Sequence, residues 1–132
     1  MKYHLLNRSK QTVLASEAEL ADTSWTRMRG LLGRRPDEFT SGKGLWIVPS
    51  QGVHTVGMSF PIDVVYLDSQ RRVIHICQRL EPFRIAALKF RARSVIELPA
   101  GTLAQTQTDV GDVLEISEIP TEGGATCVTA QA

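Results

Sequence analysis

Three side chains in the sequence could act as acids or bases. His54 lies in a polar turn that contains glycine, and an imidazole titrates near neutral pH. Asp63 follows in a run of β-branched residues, and Glu97 lies within the segment SVIELPAG. Paired carboxylates beside an imidazole can perform general acid–base catalysis, so these residues are the candidates for a hydrolase-like site if the fold brings them together.

The two acids also have a structural interpretation. Apolar residues flank both Asp63 and Glu97, and a buried carboxylate has to be hydrogen-bonded or paired with a cation. Asp63 could cap a turn or pair with Arg29, and Glu97 could pair with the same arginine. We favour this interpretation, because structural ion pairs are more common than active sites.

The turn around His54 is the predicted place for a ligand. The predicted binding residues combine this turn with the two acids and their candidate cation: His54, Thr55, Met58, Asp63, Arg29 and Glu97. A soft metal could use His54 and Met58, but a methionine in such a position is more often packed in a core. Zinc sites need three or four ligands at recognisable spacing, which this sequence lacks, so no metal or other cofactor is predicted.

Charge is balanced overall, with a formal net charge of +1, but it is segregated along the chain. The window from 71 to 93 contains one acid, Glu81, and these basic residues: Arg71, Arg72, Arg79, Arg84, Lys89, Arg91 and Arg93. Phe83 and Phe90 interleave with them, as on nucleic-acid surfaces, but no nucleic-acid motif accompanies the pattern, so nucleic acid is not a predicted partner. An accessible basic edge from Arg79 to Arg93 would suit an anionic small molecule or a protein partner.

Composition indicates one globular domain. The chain has 132 residues, of which 42% are hydrophobic and 22% charged, and this is close to the globular average. No long apolar run is present, so neither a signal peptide nor a membrane segment is predicted. Two cysteines, Cys77 and Cys127, do not form a disulfide framework, and a cytoplasmic location is the expectation.

Short strand-like segments separated by turns dominate the chain. Strands are predicted at 3–6, 12–15, 17–21, 45–48, 62–67, 73–80, 94–98 and 113–116. One short helix is predicted at 24–32, where an N-cap cluster precedes apolar residues at helical spacing and Gly33 ends the pattern. Strict alternation in the strand 73–80 would place Ile74 and Ile76 on one face and His75 and Cys77 on the other.

The predicted fold class is therefore mainly β (α+β). It is a compact, mostly antiparallel small barrel or sandwich with one short helix near residues 24–32. Residues 1–119 form a single domain, and residues 120–132 are a flexible C-terminal tail with too little apolar content to pack. The Pro-Ala-Gly turn that ends at Gly101 is predicted to need a positive φ at this glycine.

Three motifs together carry a resemblance to a known family. The segments RMRGLLGR, GVHTVGMSFPIDVVYLD and VIELPAGTLAQTQTDVGDVLEIS resemble, in order and spacing, the small prokaryotic uncharacterised family catalogued as domain of unknown function 192. Many members resemble this pattern with Trp-Met-Lys-Asn where residues 55–59 here read Thr-Val-Gly-Met-Ser, so no role for that lysine or asparagine is carried over. The resemblance covers residues 19–116 and implies a compact β-rich fold with no established activity. Several relatives look exported or lipid-anchored.

Two functions remain open at this point. The first is a non-enzymatic ligand- or partner-binding accessory module, which we favour because no catalytic motif has strict spacing. The alternative is a small hydrolase-like enzyme that uses His54 with Asp63 and Glu97. The alternative is lost if these side chains face opposite sides of the sheet.

Overall fold

The structure is a computed structural model that describes residues 2–29, 31, 33–52 and 58–120, except for the side chains of Trp25, Met28 and Arg29. Its strands are β1 Lys2–Asn7, β2 Thr12–Ala21, β3 Lys43–Ile47, β4 Ile62–Leu67, β5 Val73–Leu80, β6 Ser94–Pro99 and β7 Leu114–Glu118. Two short α-helices, α1 Ser24–Arg29 and α2 Thr102–Thr106, and one 3₁₀ turn, Pro36–Glu38, complete the described elements.

The seven strands form one mixed sheet in the order β5-β4-β6-β3-β2-β1-β7. Every pairing is antiparallel except that of β2 with β3, which is parallel. The two terminal strands approach each other at one end, where Arg72 bridges Val113 and the Val73 N–H donates to the Asp112 carbonyl at 2.8 Å. The sheet therefore curls into a half-barrel, which confirms the predicted fold class.

Two apolar clusters cover the two faces of the sheet. The inner cluster lies inside the curl and draws on all seven strands, with Leu5, Trp46, Val65 and Ile96 among its members. The helix α2 adds Leu103 to this cluster, so it closes part of the half-barrel.

The outer cluster lies on the opposite face of the same strands. It contains Ile62, Val64, Tyr66 and Val95 from the sheet. Residues from the connections cover these side chains: Leu31, Phe39, Met58, Phe60, Ala86 and Ala92. Central strands that are buried on both faces read as continuous apolar runs, which explains why β4 was the clearest strand in the sequence.

Two predictions were wrong in extent or number. The segments predicted as separate strands form one strand, β2, because it pairs with β1 on one side and β3 on the other. The helix α1 is described over Ser24–Arg29 and Leu31 lies in a turn, so the predicted helix at 24–32 was too long. A second short helix, α2, follows the Pro-Ala-Gly turn, and its five residues agree with the single helical turn that the sequence suggests there.

The described residues contain no helix that is long and apolar enough to cross a membrane. The predicted tail is residues 120–132, of which residues 121–132 lie outside the described part of the chain. The flexible tail therefore stays a prediction.

Gly101 has φ +96°, as the turn prediction required. We expect Gly101→Val to lower the free energy of unfolding by about 1–3 kcal/mol, because a β-branched side chain is strained at this φ. Gly101→Asn should cost less, because asparagine tolerates the left-handed region better. Denaturant unfolding of the three proteins measures both effects, and equal stability of the wild type and the valine variant would contradict the turn assignment.

Candidate functional site

Asp63 is buried at the centre of the structure, with 1% of its surface exposed. Its Oδ1 accepts a hydrogen bond of 2.9 Å from the backbone N–H of Arg79. Its Oδ2 accepts two more, from the N–H of Gly101 at 3.1 Å and from the N–H of Leu103 at 2.9 Å. The whole carboxylate is therefore occupied by backbone donors.

The elements around Asp63 explain these three bonds. Gly101 is the N-cap of α2 and has no side chain to satisfy the first helical N–H groups, so Asp63 supplies the acceptor from another strand. On the other side, the pairing of β4 with β5 shifts register between Ile62 and Val64, and Arg79 takes φ +53° at this irregularity. The bulge turns the Arg79 N–H towards Asp63. Of the two structural interpretations of Asp63, the described contacts support turn capping.

Glu97 lies in a different environment. Its neighbours on the adjacent strands are Leu45 of β3 and Val64 of β4, and 3% of its surface is exposed. Its Oε1 has no hydrogen-bond partner among the described residues. Burial raises the pKa of this carboxyl from its ordinary value of 4.5 to about 8, so the group is mostly protonated at neutral pH.

Asp63 and Glu97 lie on opposite faces of the sheet. Asp63 pairs across the strands with Leu98, which belongs to the inner cluster. Glu97 pairs with Val64, which belongs to the outer cluster. The idea that the two acids converge on one acid–base site is therefore wrong, because side chains directly opposite on antiparallel strands share a face and these two acids have partners on different faces.

The other predicted site residues divide into two groups. His54 and Thr55, and the side chain of Arg29, lie outside the described residues. Met58 is described, and it is a core residue of the outer cluster with 4% of its surface exposed. Within the part of the chain that the structure describes, no group of three or more His, Cys, Asp or Glu side chains could hold a metal ion.

A surface that the sequence only partly indicated lies on the connection between β5 and β6. Four large apolar side chains of this connection are 66–82% exposed: Phe83, Ile85, Leu88 and Phe90. Basic residues alternate with them, namely Arg84, Lys89 and Arg91. We call these seven residues the basic-apolar face. The interleaved phenylalanines were visible in the sequence, but the exposure of Ile85 and Leu88 was not, because aliphatic residues in a connection usually mark a core contact.

The backbone of this connection is fixed to the domain by hydrogen bonds. The Tyr66 hydroxyl donates to the Ala87 carbonyl at 2.6 Å, and Gln51 Nε2 donates to the Phe90 carbonyl at 3.0 Å. The Lys89 N–H donates to the Gln51 carbonyl at 3.0 Å. The exposed side chains therefore stand on an anchored backbone.

The chain matches known proteins in sequence. Residues 5–116 match the family model DUF192, described as Uncharacterized ACR. A UPF0127 protein from Thermococcus sibiricus is 30% identical over 116 residues, which cover 84% of this chain and 73% of that protein. A UPF0127 protein from Pyrococcus horikoshii is 31% identical over 116 residues, which cover 84% of this chain and 96% of that protein.

Two solved bacterial structures are similar in fold. A protein of unknown function from Novosphingobium aromaticivorans has a TM-score of 0.72 at 24% identity, covering 87% of this chain and 84% of that chain. A protein from Sinorhizobium meliloti has a TM-score of 0.72 at 23% identity, covering 86% of this chain and 91% of that chain. At these identities the similarity establishes the fold alone, and the family resemblance carried by the three motifs is confirmed by the sequence match.

Replacing Asp63 by asparagine tests its role as a backbone cap. Asp63 uses both oxygens, and an amide would present an NH₂ group to one set of N–H donors, so we expect Asp63→Asn to lose about 2–4 kcal/mol of stability. Asp68 is a matched control, because its Oδ1 alone accepts from the N–H groups of Gln70 and Arg72, both at 2.9 Å. Asp68→Asn should therefore change the free energy of unfolding by less than about 0.5 kcal/mol. Similar losses in both variants would contradict the capping role.

Glu97 should make stability depend on pH. Below pH 4.5 the carboxyl is protonated in the folded and unfolded states, and between 4.5 and about 8 only the folded state keeps the proton. The wild type should therefore lose stability relative to Glu97→Gln as the pH rises through this range, by a total on the order of 3–5 kcal/mol. Unfolding curves at several pH values measure the difference, with Glu115→Gln as an exposed control. Parallel pH profiles of the wild type and Glu97→Gln would contradict the raised pKa.

Proposed function

The chain belongs to the DUF192 family, and we propose that it is a non-enzymatic module that binds an acidic protein partner through the basic-apolar face. The family is of uncharacterised function, so the proposal depends on the geometry of this chain. The observation that carries it is the group of four large apolar side chains, 66–82% exposed, on a connection whose backbone is anchored.

Exposure of these side chains is unfavourable in the isolated chain. Fully burying a large apolar side chain contributes about 1.5–3 kcal/mol, so four exposed ones on one connection favour a partner that covers them. The chain had alternatives for burial, since Ala86 and Ala92 of the same connection pack in the outer cluster. The connection therefore places its small residues inward and its large ones outward, which is the arrangement of an interface.

The basic residues of the basic-apolar face indicate which class of partner would bind. Arg84, Lys89 and Arg91 lie between the apolar side chains, and Arg79 and Arg93 lie at the two ends of the segment. Aromatic residues and arginine are the types enriched at the centres of protein–protein interfaces. A partner segment with acidic and aliphatic side chains would complement both properties at once.

A cleft in this face would receive one side chain of the partner. It has a volume of about 330 Å³ and is lined by Ile74 of β5 and by Leu88, Lys89, Phe90 and Arg91. Its walls are apolar with a basic rim, which fits a leucine or phenylalanine followed by a carboxylate. An interface centred on such a pocket would concentrate its binding energy in a few residues.

The enzymatic alternative is not favoured. It required Asp63 and Glu97 to act together, and these acids lie on opposite faces with Asp63 fully occupied by backbone donors. The proposal also keeps the cytoplasmic location expected from the sequence. This location is supported by Cys77, a free and partly buried thiol, because free thiols are typical of a reducing compartment.

A titration with synthetic peptides tests the proposed surface. We expect a peptide of alternating glutamate and leucine to shift the amide NMR signals of residues 79–93 in the labelled chain. A peptide of alternating glutamate and serine should bind more weakly, because it supplies charge without apolar contacts. The double variant Phe83→Ser with Phe90→Ser should weaken binding of the glutamate–leucine peptide about tenfold or more.

The matched control is Val13→Ser, which replaces an apolar residue that is 47% exposed on β2. It should leave peptide binding unchanged, and all three substitutions should alter stability by less than about 0.5 kcal/mol per site because they are on the surface. Two results would overturn the proposal. The first is that anionic vesicles or single-stranded RNA shift the signals of residues 79–93 while the glutamate–leucine peptide does not. The second is that neither the peptide, the vesicles nor the RNA shifts these signals.

A further inference from the structure

A second cleft lies between α1 and the connections that flank the outer cluster. It has a volume of about 340 Å³, and its lining residues come from three segments: Arg27, Pro49, Ser50, Gln51, Ala92 and Arg93. The Ser50 N–H donates to the Arg93 carbonyl at 3.0 Å, which joins two of these segments. Arg27 Nη1 donates to the Pro49 carbonyl at 3.2 Å, which joins the third. The walls of the cleft are therefore held in place by their own contacts.

Arg27 lines this cleft and has a donor without a partner among the described residues. This donor is its buried Nε. Leaving a buried donor unpaired costs about 1–3 kcal/mol, and more when the group is charged, so an unpaired guanidinium N–H needs an explanation. A bound acceptor would satisfy it.

The electrostatics of the cleft favour an anion. Two arginines, Arg27 and Arg93, line it together with the polar residues Ser50 and Gln51. None of its described lining residues is acidic, and neither arginine forms an ion pair with a described carboxylate. Guanidinium groups bind carboxylates and phosphates through paired N–H donors, and such charge-assisted bonds are roughly twice as strong as neutral ones.

We infer that this cleft binds a small ligand through a phosphate or carboxylate group held between Arg27 and Arg93. The volume matches the lower end of the range for small-molecule sites, so the ligand is a small anion rather than a nucleotide-sized cofactor. The site is separate from the basic-apolar face, since none of the seven residues of that face lines it. A soluble anionic ligand is therefore a second binding function of the domain.

Isothermal titration calorimetry of the full chain with inorganic phosphate and with succinate tests the inference. We expect at least one of these probes to bind in the millimolar range at low ionic strength and to shift the amide NMR signals of Ser50 and Gln51. Arg27→Gln and Arg93→Gln should each weaken that binding about tenfold or more, because each removes charge-assisted hydrogen bonds. Arg27→Lys keeps the charge but loses the guanidinium geometry, so it should bind with intermediate affinity.

Arg8→Gln is the matched control, because it removes the same charge from an exposed arginine that lines neither cleft. It should leave the affinity for the probe unchanged, and unfolding curves recorded without ligand check that Arg27→Gln is folded. Equal weakening by all three glutamine variants would show general charge attraction and overturn the site, as would the absence of binding by both probes. The double serine variant of Phe83 and Phe90 should still bind the anion, so failure of the peptide-binding proposal leaves this test intact.

Discussion

The carboxylate of Asp63 is the interaction on which the architecture depends. From the start of β4 it accepts backbone hydrogen bonds from the irregularity in β5 and from the first turn of α2. These N–H groups have no other acceptor of comparable strength, because one lies at a bulge and two at the start of a helix capped by glycine. By fixing α2, Asp63 also fixes Leu103 in the inner cluster. One acid thus couples local backbone geometry to the closure of the half-barrel.

The buried acids on the two faces of the sheet have different environments. On the inner face, three backbone N–H groups donate hydrogen bonds to Asp63, and these bonds offset the cost of burying its carboxylate. On the outer face, Glu97 lies between Leu45 and Val64, its Oε1 has no partner among the described residues, and burial raises its pKa to about 8. A protonated acid avoids most of the cost of burying a charge. The same chemical group is therefore accommodated in two ways, by hydrogen bonding in one place and by retention of a proton in the other.

Binding, rather than catalysis, is the function that this arrangement supports. The carboxylate of Asp63 is used to hold the backbone, whereas the connection between β5 and β6 leaves large apolar side chains exposed. Apolar and basic groups alternate on the connection between β5 and β6, and two arginines line the cleft beside α1. Both features attract negative charge, but one suits an extended partner and the other a small anion. The window from 71 to 93, which includes the connection, contains seven arginines and lysines and one acid, Glu81.

The sequence by itself determined the local elements and the family. β4 and β5 were predicted with their observed bounds, because β-branched runs between turn residues carry a strong local signal. Only the tertiary structure decided the strand register and the face of the sheet on which each side chain lies, because both depend on pairing between residues far apart in the chain. The prediction of strict alternation in β5 was wrong. The pairing of β5 with β4 shifts register at two places. As a result, Ile74 and Cys77 both pack against the outer cluster, whereas Ile76 packs against the inner cluster. The register of β4 with β6 likewise separated Asp63 from Glu97, and nothing within either segment could have shown this.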